Sequence, residues 1–252
     1  MLAIRLVCSL KLLVPIEFSY SSPLWTTVIN TKTSNQNLEI YVIVNPNATP
    51  VTSLDANYQT LMISLNAAGI KILGNIDTVQ CANSQTELQT QVDNWISYYG
   101  TYLYGFYFNN LQSQSSCIPL ASSLASYVHN KGKKAFGKQS VFNYTEFNGV
   151  LDVIVYEGQT YPTIPAKSST TSRLLTGVVI HSQALDTTSI NSICTIADFI
   201  FISDESGPSP YSTLGSQFSS VASSVNSLYF NPSDDLCYAT NCPSEFTADN
   251  GN

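Results

Sequence analysis

The sequence predicts an α/β fold, a single (β/α)8 barrel of the TIM type, and three observations predict it. Eight short apolar runs recur along the chain, segments of helical spacing lie between them, and no linker or low-complexity block interrupts the alternation before residue 230. An open doubly wound sheet ordinarily stops at fewer strands, so this alternation favours closure into a barrel.

The apolar runs, in order, are Leu12–Phe18, Glu39–Val44, Lys71–Ile76, Tyr104–Phe108, Lys134–Lys138, Asp152–Tyr156, Gly177–Ile180 and Asp198–Ile202. Most are rich in Val, Ile, Tyr or Phe, as parallel strands buried on both faces are. Among the helical segments, Asp55–Ala68 puts Tyr58, Leu61, Met62 and Leu65 on one face and stops at Gly69. Thr86–Tyr99, Ile118–Lys131, Asp186–Ile196 and Thr213–Leu228 behave likewise. Trp95, spaced with Val92 and Tyr99, reads as core, and His129 ends its helix where the macrodipole favours a cation. The chain therefore divides into an apolar amino-terminal segment (1–11), the barrel (12–230) and a polar tail (231–252).

Ten Lys and Arg stand against seventeen Asp and Glu in 252 residues, a formal charge of −7. Nucleic-acid binding needs a clustered basic face, so no nucleic-acid partner is expected. Only 11% of residues are charged, less than half of the roughly 25% usual in soluble domains. Ser, Thr, Asn, Gln and Tyr must cover the surface instead, which suits an exported protein handling neutral, hydroxyl-rich ligands. Residues 1–16 begin like a truncated signal peptide broken by Arg5 and Lys11. No run reaches the roughly 18 apolar residues of a membrane span. A secreted or extracellular location is expected, and the sequons Asn47-Ala-Thr and Asn143-Tyr-Thr agree with it.

The six cysteines show no CxxC pair and no histidines at zinc spacing, so no metal site is expected. Cys237 and Cys242 suit a local disulfide, and Cys81 with Cys117 a bridge between neighbouring loops. Cys194 reads as buried, and Cys8 falls in the first segment. No cofactor is expected either. Gly132-Lys-Lys-Ala-Phe-Gly137-Lys138 has Walker spacing, but Gln139 follows where Ser or Thr must bind magnesium, and the spaced residues form a strand. Neither histidine lies in a serine-hydrolase motif.

In such barrels the active site lies at the carboxyl ends of the strands. Those ends are Glu17, Asn45, Asp77, Asn109 with Asn110, Lys138 with Gln139, Glu157, His181, and Asp204 with Glu205. Loops are polar anyway, yet five of only seventeen carboxylates fall on these ends. Carboxylates with aromatic residues and few cations suggest carbohydrate chemistry, since glycoside hydrolysis uses one carboxyl group as acid and a second as nucleophile or base. Glu157 is the leading catalytic candidate because Asp152-Val-Ile-Val-Tyr delivers it to the rim, with Asp77 and Asp204 as possible partners. Glu17, Asn45, Asn109, Asn110, His181, Tyr107 and Tyr211 are candidates for holding the substrate. Tyr20, Trp25, Tyr156 and Tyr161 are further stacking candidates. The expected partner is a polysaccharide, and the oligomeric state stays open.

Val14-Pro-Ile, Tyr41-Val-Ile-Val-Asn-Pro46, Leu65-Asn-Ala-Ala-Gly-Ile-Lys-Ile-Leu-Gly74 with Asp77-Thr78, Gly105-Phe-Tyr-Phe108, Val155-Tyr-Glu157, and Phe201-Ile-Ser-Asp204 with Pro210-Tyr211 occur in that order. Together, from Leu12 to Val225, they resemble the spherulation-specific family four, related to fungal glycoside hydrolases that cut galactosamine-containing polysaccharide. The resemblance implies a (β/α)8 barrel and a hydrolytic role for the Glu of strand six, here Glu157. It also implies an acidic pair at the end of strand four, where this chain has Asn109 and Asn110. The family commonly has Gly-Tyr where this chain has Gly74-Asn75, and Asn-Pro-Gly where it has Lys138-Gln-Ser140. An amide cannot donate a catalytic proton, and loss of a positioned acid costs on the order of 10² to 10⁴ in rate. Three readings follow: a hydrolase-like barrel acting on amino-sugar polysaccharide of a wall or coat, an inactive polysaccharide-binding relative, and a coat or matrix structural protein.

Overall fold

The structure, a computed structural model, describes residues 10–15, 19–45, 51–111, 115–139, 147, 149–158, 175–183, 190, 193, 196–206 and 210–228. Eight parallel strands close into one barrel in chain order. They are β1 (Lys11–Pro15), β2 (Ile40–Val44), β3 (Lys71–Asp77), β4 (Leu103–Asn109), β5 (Lys134–Gln139), β6 (Val153–Gly158), β7 (Leu175–Ile180) and β8 (Phe199–Ile202). Closure is made by Lys11 and Leu12 of β1 pairing with Phe199 and Ile200 of β8. The described helices are α1 (Leu24–Ser34), α2 (Ala56–Ala67), α3 (Gln85–Tyr99), α4 (Ile118–Asn130) and α5 (Phe218–Ser227).

Strand pairing fixes which residues point into the barrel. Tyr41, Phe136 and Phe199 meet across the interior with ring centroids 5.0–5.9 Å apart. Gly74 faces outward instead, since a Cβ there would sit 3.0 Å from the Trp95 indole of α3. Following the register from Tyr41↔Lys71 to Asp77↔Asn109, Tyr107↔Phe136, Lys138↔Val155 and Glu157↔Val179 keeps one phase around the sheet. Strand alternation then gives Asn45, Asp77, Asn109, Lys138, Glu157 and His181 the same inward phase at the carboxyl ends. At the opposite end, Lys71 donates to Tyr41 Oη at 2.9 Å and pairs with Glu39, and Lys11 lies 3.9 Å from Glu39. This cluster closes the bottom of the barrel.

The helices start where the sequence supplies acceptors. Asp55 accepts from the N–H groups of Asn57 and Tyr58 ahead of α2, and Ser84 with Glu87 forms a capping box at α3. Helix α1 was not expected. Its Thr-Thr-Val-Ile-Asn-Thr stretch is β-branched and it has no side-chain cap, so local propensity argues against it and packing overrides. Trp25 is corrected with it: it is 3% exposed and its Nε1 donates to Ser19 O at 2.9 Å, so it is a packing residue rather than a platform for sugar. The final helix is shorter than expected and begins at Phe218, because Gly215 turns with φ +73° and Ser216 bonds back to Asp204.

Trp95 is core as expected, at 1% exposure, and donates to Asn75 O at 3.1 Å. His129 lies in the last turn of α4, with Nε2 2.7 Å from Asp152 Oδ2. The bridge between Cys81 and Cys117 is formed, with Cα atoms 5.7 Å apart. Glu17, Asn47, Asn143, Tyr161, Cys8, Cys194, Cys237, Cys242, most of the expected Asp186–Ile196 helix and the tail lie outside the described residues.

Candidate functional site in the barrel mouth

The mouth is built on two walls. On one, β3 and β4 run side by side and end in register at Asp77 and Asn109. Asp77 Oδ1 accepts from Val79 N–H at 2.9 Å and from the Asn110 side-chain amide at 3.0 Å. Asn109 Oδ1 accepts from Asn110 N–H at 2.9 Å, and its carbonyl accepts from Thr78 Oγ1 at 2.8 Å and Thr78 N–H at 3.1 Å. Asp77, Asn109 and Asn110 therefore form one hydrogen-bonded group. Asn110 has φ +59°, a conformation that Asn adopts more readily than most residues.

On the other wall, Lys138 Nζ of β5 lies 2.8 Å from Glu157 Oε2 of β6, with side chains 22% and 16% exposed. In this pair Glu157 accepts, the role of a nucleophile, base or anchor rather than of a proton donor. Beneath it, Tyr107 is 3% exposed, and its hydroxyl finds no hydrogen-bond partner among the described residues. Burial, then the charge of Glu157 and the neighbouring Tyr211, push the Tyr107 phenol well above its usual value, so it keeps its proton. A buried donor without a partner costs about 1–3 kcal/mol unless something entering the site accepts from it. His181 stands edge-on to the buried ring of Tyr211, centroids 5.9 Å apart at 89°, with Nδ1 3.1 Å from Ser182 Oγ.

Asp204 is bonded to neither group among the described residues. The Ser216 hydroxyl and N–H donate to its two carboxylate oxygens, and the Ser216 hydroxyl is the main reason its carboxyl lies below the usual range. It fastens the loop leading to α5. Asn45 is exposed just past β2. Among the described residues no hydrogen bond or ion pair joins Asp77 to Glu157, so the two walls are separate polar groups on adjoining arcs of the mouth, β4 pairing with β5 between them. Each of the three candidate carboxylates is thus held as an acceptor. The Lys138–Glu157 pair was missed from sequence although both residues stood at strand ends; their shared inward phase on neighbouring strands is the signal that locates it.

Backbone strain gathers here as well. Every described non-glycine residue with positive φ follows β3, β4 or β7: Val79 (47°), Gln80 (55°), Cys81 (68°), Asn110 (59°) and Ser182 (61°). Such residues cost on the order of 1–3 kcal/mol each and cluster at binding and catalytic sites. Among the described residues no group of three or more His, Cys, Asp or Glu is arranged to hold a metal ion, and no helix is long and apolar enough to cross a membrane.

Comparison with known proteins places this architecture. The model of spherulation-specific family 4 matches residues 11–225. Spherulin-4 of Physarum polycephalum is 30% identical over 128 residues, which is 50% of this chain and 37% of that protein; the match therefore spans well under half of that relative. The crystal structure of Aspergillus clavatus Sph3 in complex with GalNAc has a TM-score of 0.74 at 18% identity, covering 87% of this chain and 98% of that one. Mycobacterium tuberculosis tryptophan synthase, at TM-score 0.51 and 8% identity over 88% and 92% of the two chains, shares the barrel frame alone.

Proposed function

The chain belongs to spherulation-specific family 4, and on that premise we propose that its mouth holds an amino-sugar polysaccharide of a cell wall or coat outside the cell, by binding rather than rapid hydrolysis. The observation that carries this reading is the donor and acceptor set of the mouth: the buried Tyr107 phenol, with no partner among the described residues, the Lys138–Glu157 pair, and on the adjoining strands the Asp77, Asn109 and Asn110 group. Sugar hydroxyls and acetamido groups both donate and accept, so they match such a mixed surface. The Sph3 relative was crystallised with GalNAc, which supports galactosamine-containing polymers as the first ligands to try. Among the described residues, none of the candidate carboxylates is placed as a proton donor. Asn109 and Asn110 are amides, Glu157 accepts from an ammonium, and Asp204 is tied to Ser216.

Hydrolysis is the second reading, favoured by one observation: Glu157 keeps an inward, partly exposed position on β6. The two readings part in one experiment on an insoluble galactosamine-rich polysaccharide, scored for retention and for release of reducing ends. Wild type should be retained and release little. Asn109→Asp with Asn110→Glu should raise release at least tenfold, because a carboxyl group beside Asp77 creates a like-charge pair that keeps one proton. Glu157→Gln in that background should abolish the gain. Absence of retention would overturn the binding reading. Strong release by wild type, lost in Glu157→Gln, would replace it with hydrolysis.

A further inference from the structure

The loop after β3 departs from ordinary backbone geometry for three residues in a row. Val79, Gln80 and Cys81 form a single left-handed turn, closed by Cys81 N–H to Thr78 O at 2.9 Å and Ala82 N–H to Val79 O at 3.0 Å. None is glycine, and Val79 is β-branched, the type that resists positive φ most strongly. Val79 is also 47% exposed, so side-chain burial does not hold the turn in place. What the turn does is local: it aims Val79 N–H at Asp77 Oδ1. Its last residue is bonded to Cys117, which is 1% exposed and immediately precedes α4. The bridge thus joins the loop after β3 to the loop after β4, the two loops that follow Asp77 and Asn109 with Asn110.

We propose that the Cys81–Cys117 bridge and the left-handed turn are a positioning device for the mouth, holding Asp77, Asn109 and Asn110 as a preformed ligand-binding wall. This rests on the reading that the mouth takes a polysaccharide. Without the bridge, residues 79–81 relax toward right-handed or extended backbone. Val79 N–H then leaves Asp77, and the Asp77 carboxylate is free to rotate off the Asn110 amide. The barrel strands, paired on both sides, do not depend on it. Preorganisation of this kind lowers the ordering cost of binding, so its loss appears as weaker capture by a barrel that remains folded.

The test compares wild type, Cys81→Ala/Cys117→Ala and Thr78→Val. Thr78→Val keeps the bridge but removes the Oγ1 hydrogen bond to Asn109 O. Amide hydrogen exchange reads the wall, and retention on the galactosamine-rich polymer reads binding. In the cysteine variant, exchange at Val79, Ala82 and Asn110 should rise at least tenfold while amides of β2 and β6 stay unchanged, with retention weakened at least fivefold. Thr78→Val should weaken retention in the same direction, and if the cysteine variant does not fold, thiol reduction of the bridge in folded wild type, read by exchange at the same amides, serves as the test. Wild-type exchange and retention in a folded cysteine variant overturn the proposal, as does an exchange increase spread through all eight strands, which would make the bridge a brace for the whole barrel. If no variant, wild type included, is retained on the polymer, the ligand reading fails, and the exchange at Val79, Ala82 and Asn110 still decides whether the bridge positions the wall.

Discussion

Asp152, just before β6, shows how one carboxylate can join three elements. Its Oδ2 accepts from Ala135 N–H at 2.8 Å and lies 2.7 Å from His129 Nε2, while Oδ1 accepts from Lys134 at 2.8 Å. Burial pushes its pKa up, but these donors outweigh burial, and the result lies below the ordinary 3.8. A carboxyl group with a depressed folded pKa contributes stability that is complete above its unfolded pKa and lost as pH falls through the folded value. Asp152→Asn should therefore lower the unfolding temperature at pH 7, and its deficit should shrink only below about pH 4. A deficit independent of pH down to about pH 2 would assign the effect to packing instead. At this scale the sequence was informative about position and poor about partners. Glu157, Asp77 and Asn109 were legible because strand alternation sets their phase, whereas the Lys138 contact to Glu157 and the Ser216 contact to Asp204 arise from residues brought together by the register and by a loop.

Helix boundaries followed wherever the start carried its own acceptor. Helix α2 is announced by Asp55, whose carboxylate accepts from Asn57 N–H at 2.9 Å and Tyr58 N–H at 3.4 Å. Asp55→Ala should cost about 1 kcal/mol, which in a chain of this size lowers the unfolding temperature by roughly 2–4 °C. An unchanged temperature would mean that water or the Tyr99 hydroxyl, which already accepts from Asp55 N–H at 2.8 Å, replaces the cap. Helix α1 is the counterexample, since it has neither a cap nor favourable propensity and exists because Trp25 and Val28 are buried against the barrel. An element stabilised mostly by what it packs on leaves a weak local signal.

The whole molecule depends on closure of the sheet around a filled interior. Phe136 is 1% exposed and touches the rings of Tyr41 and Phe199 from strands on other sides of the barrel. Phe136→Ala should cost about 3–5 kcal/mol, measured as a lower denaturant midpoint with an unchanged slope. A loss below about 1 kcal/mol would mean that the interior collapses to fill the space, contrary to the dense packing expected of such a core. The amino-acid sequence by itself determined the alternation, the barrel and the strand ends that carry the polar residues, because hydrophobic period and strand phase are local properties of the chain. Tertiary structure alone decided that Glu157 meets Lys138, that the Tyr107 hydroxyl lies buried with no partner among the described residues, and that a left-handed turn carries Cys81 into its bridge. Those facts depend on register, closure and loop geometry, which bring together residues distant in the chain, 36 positions apart for the two cysteines.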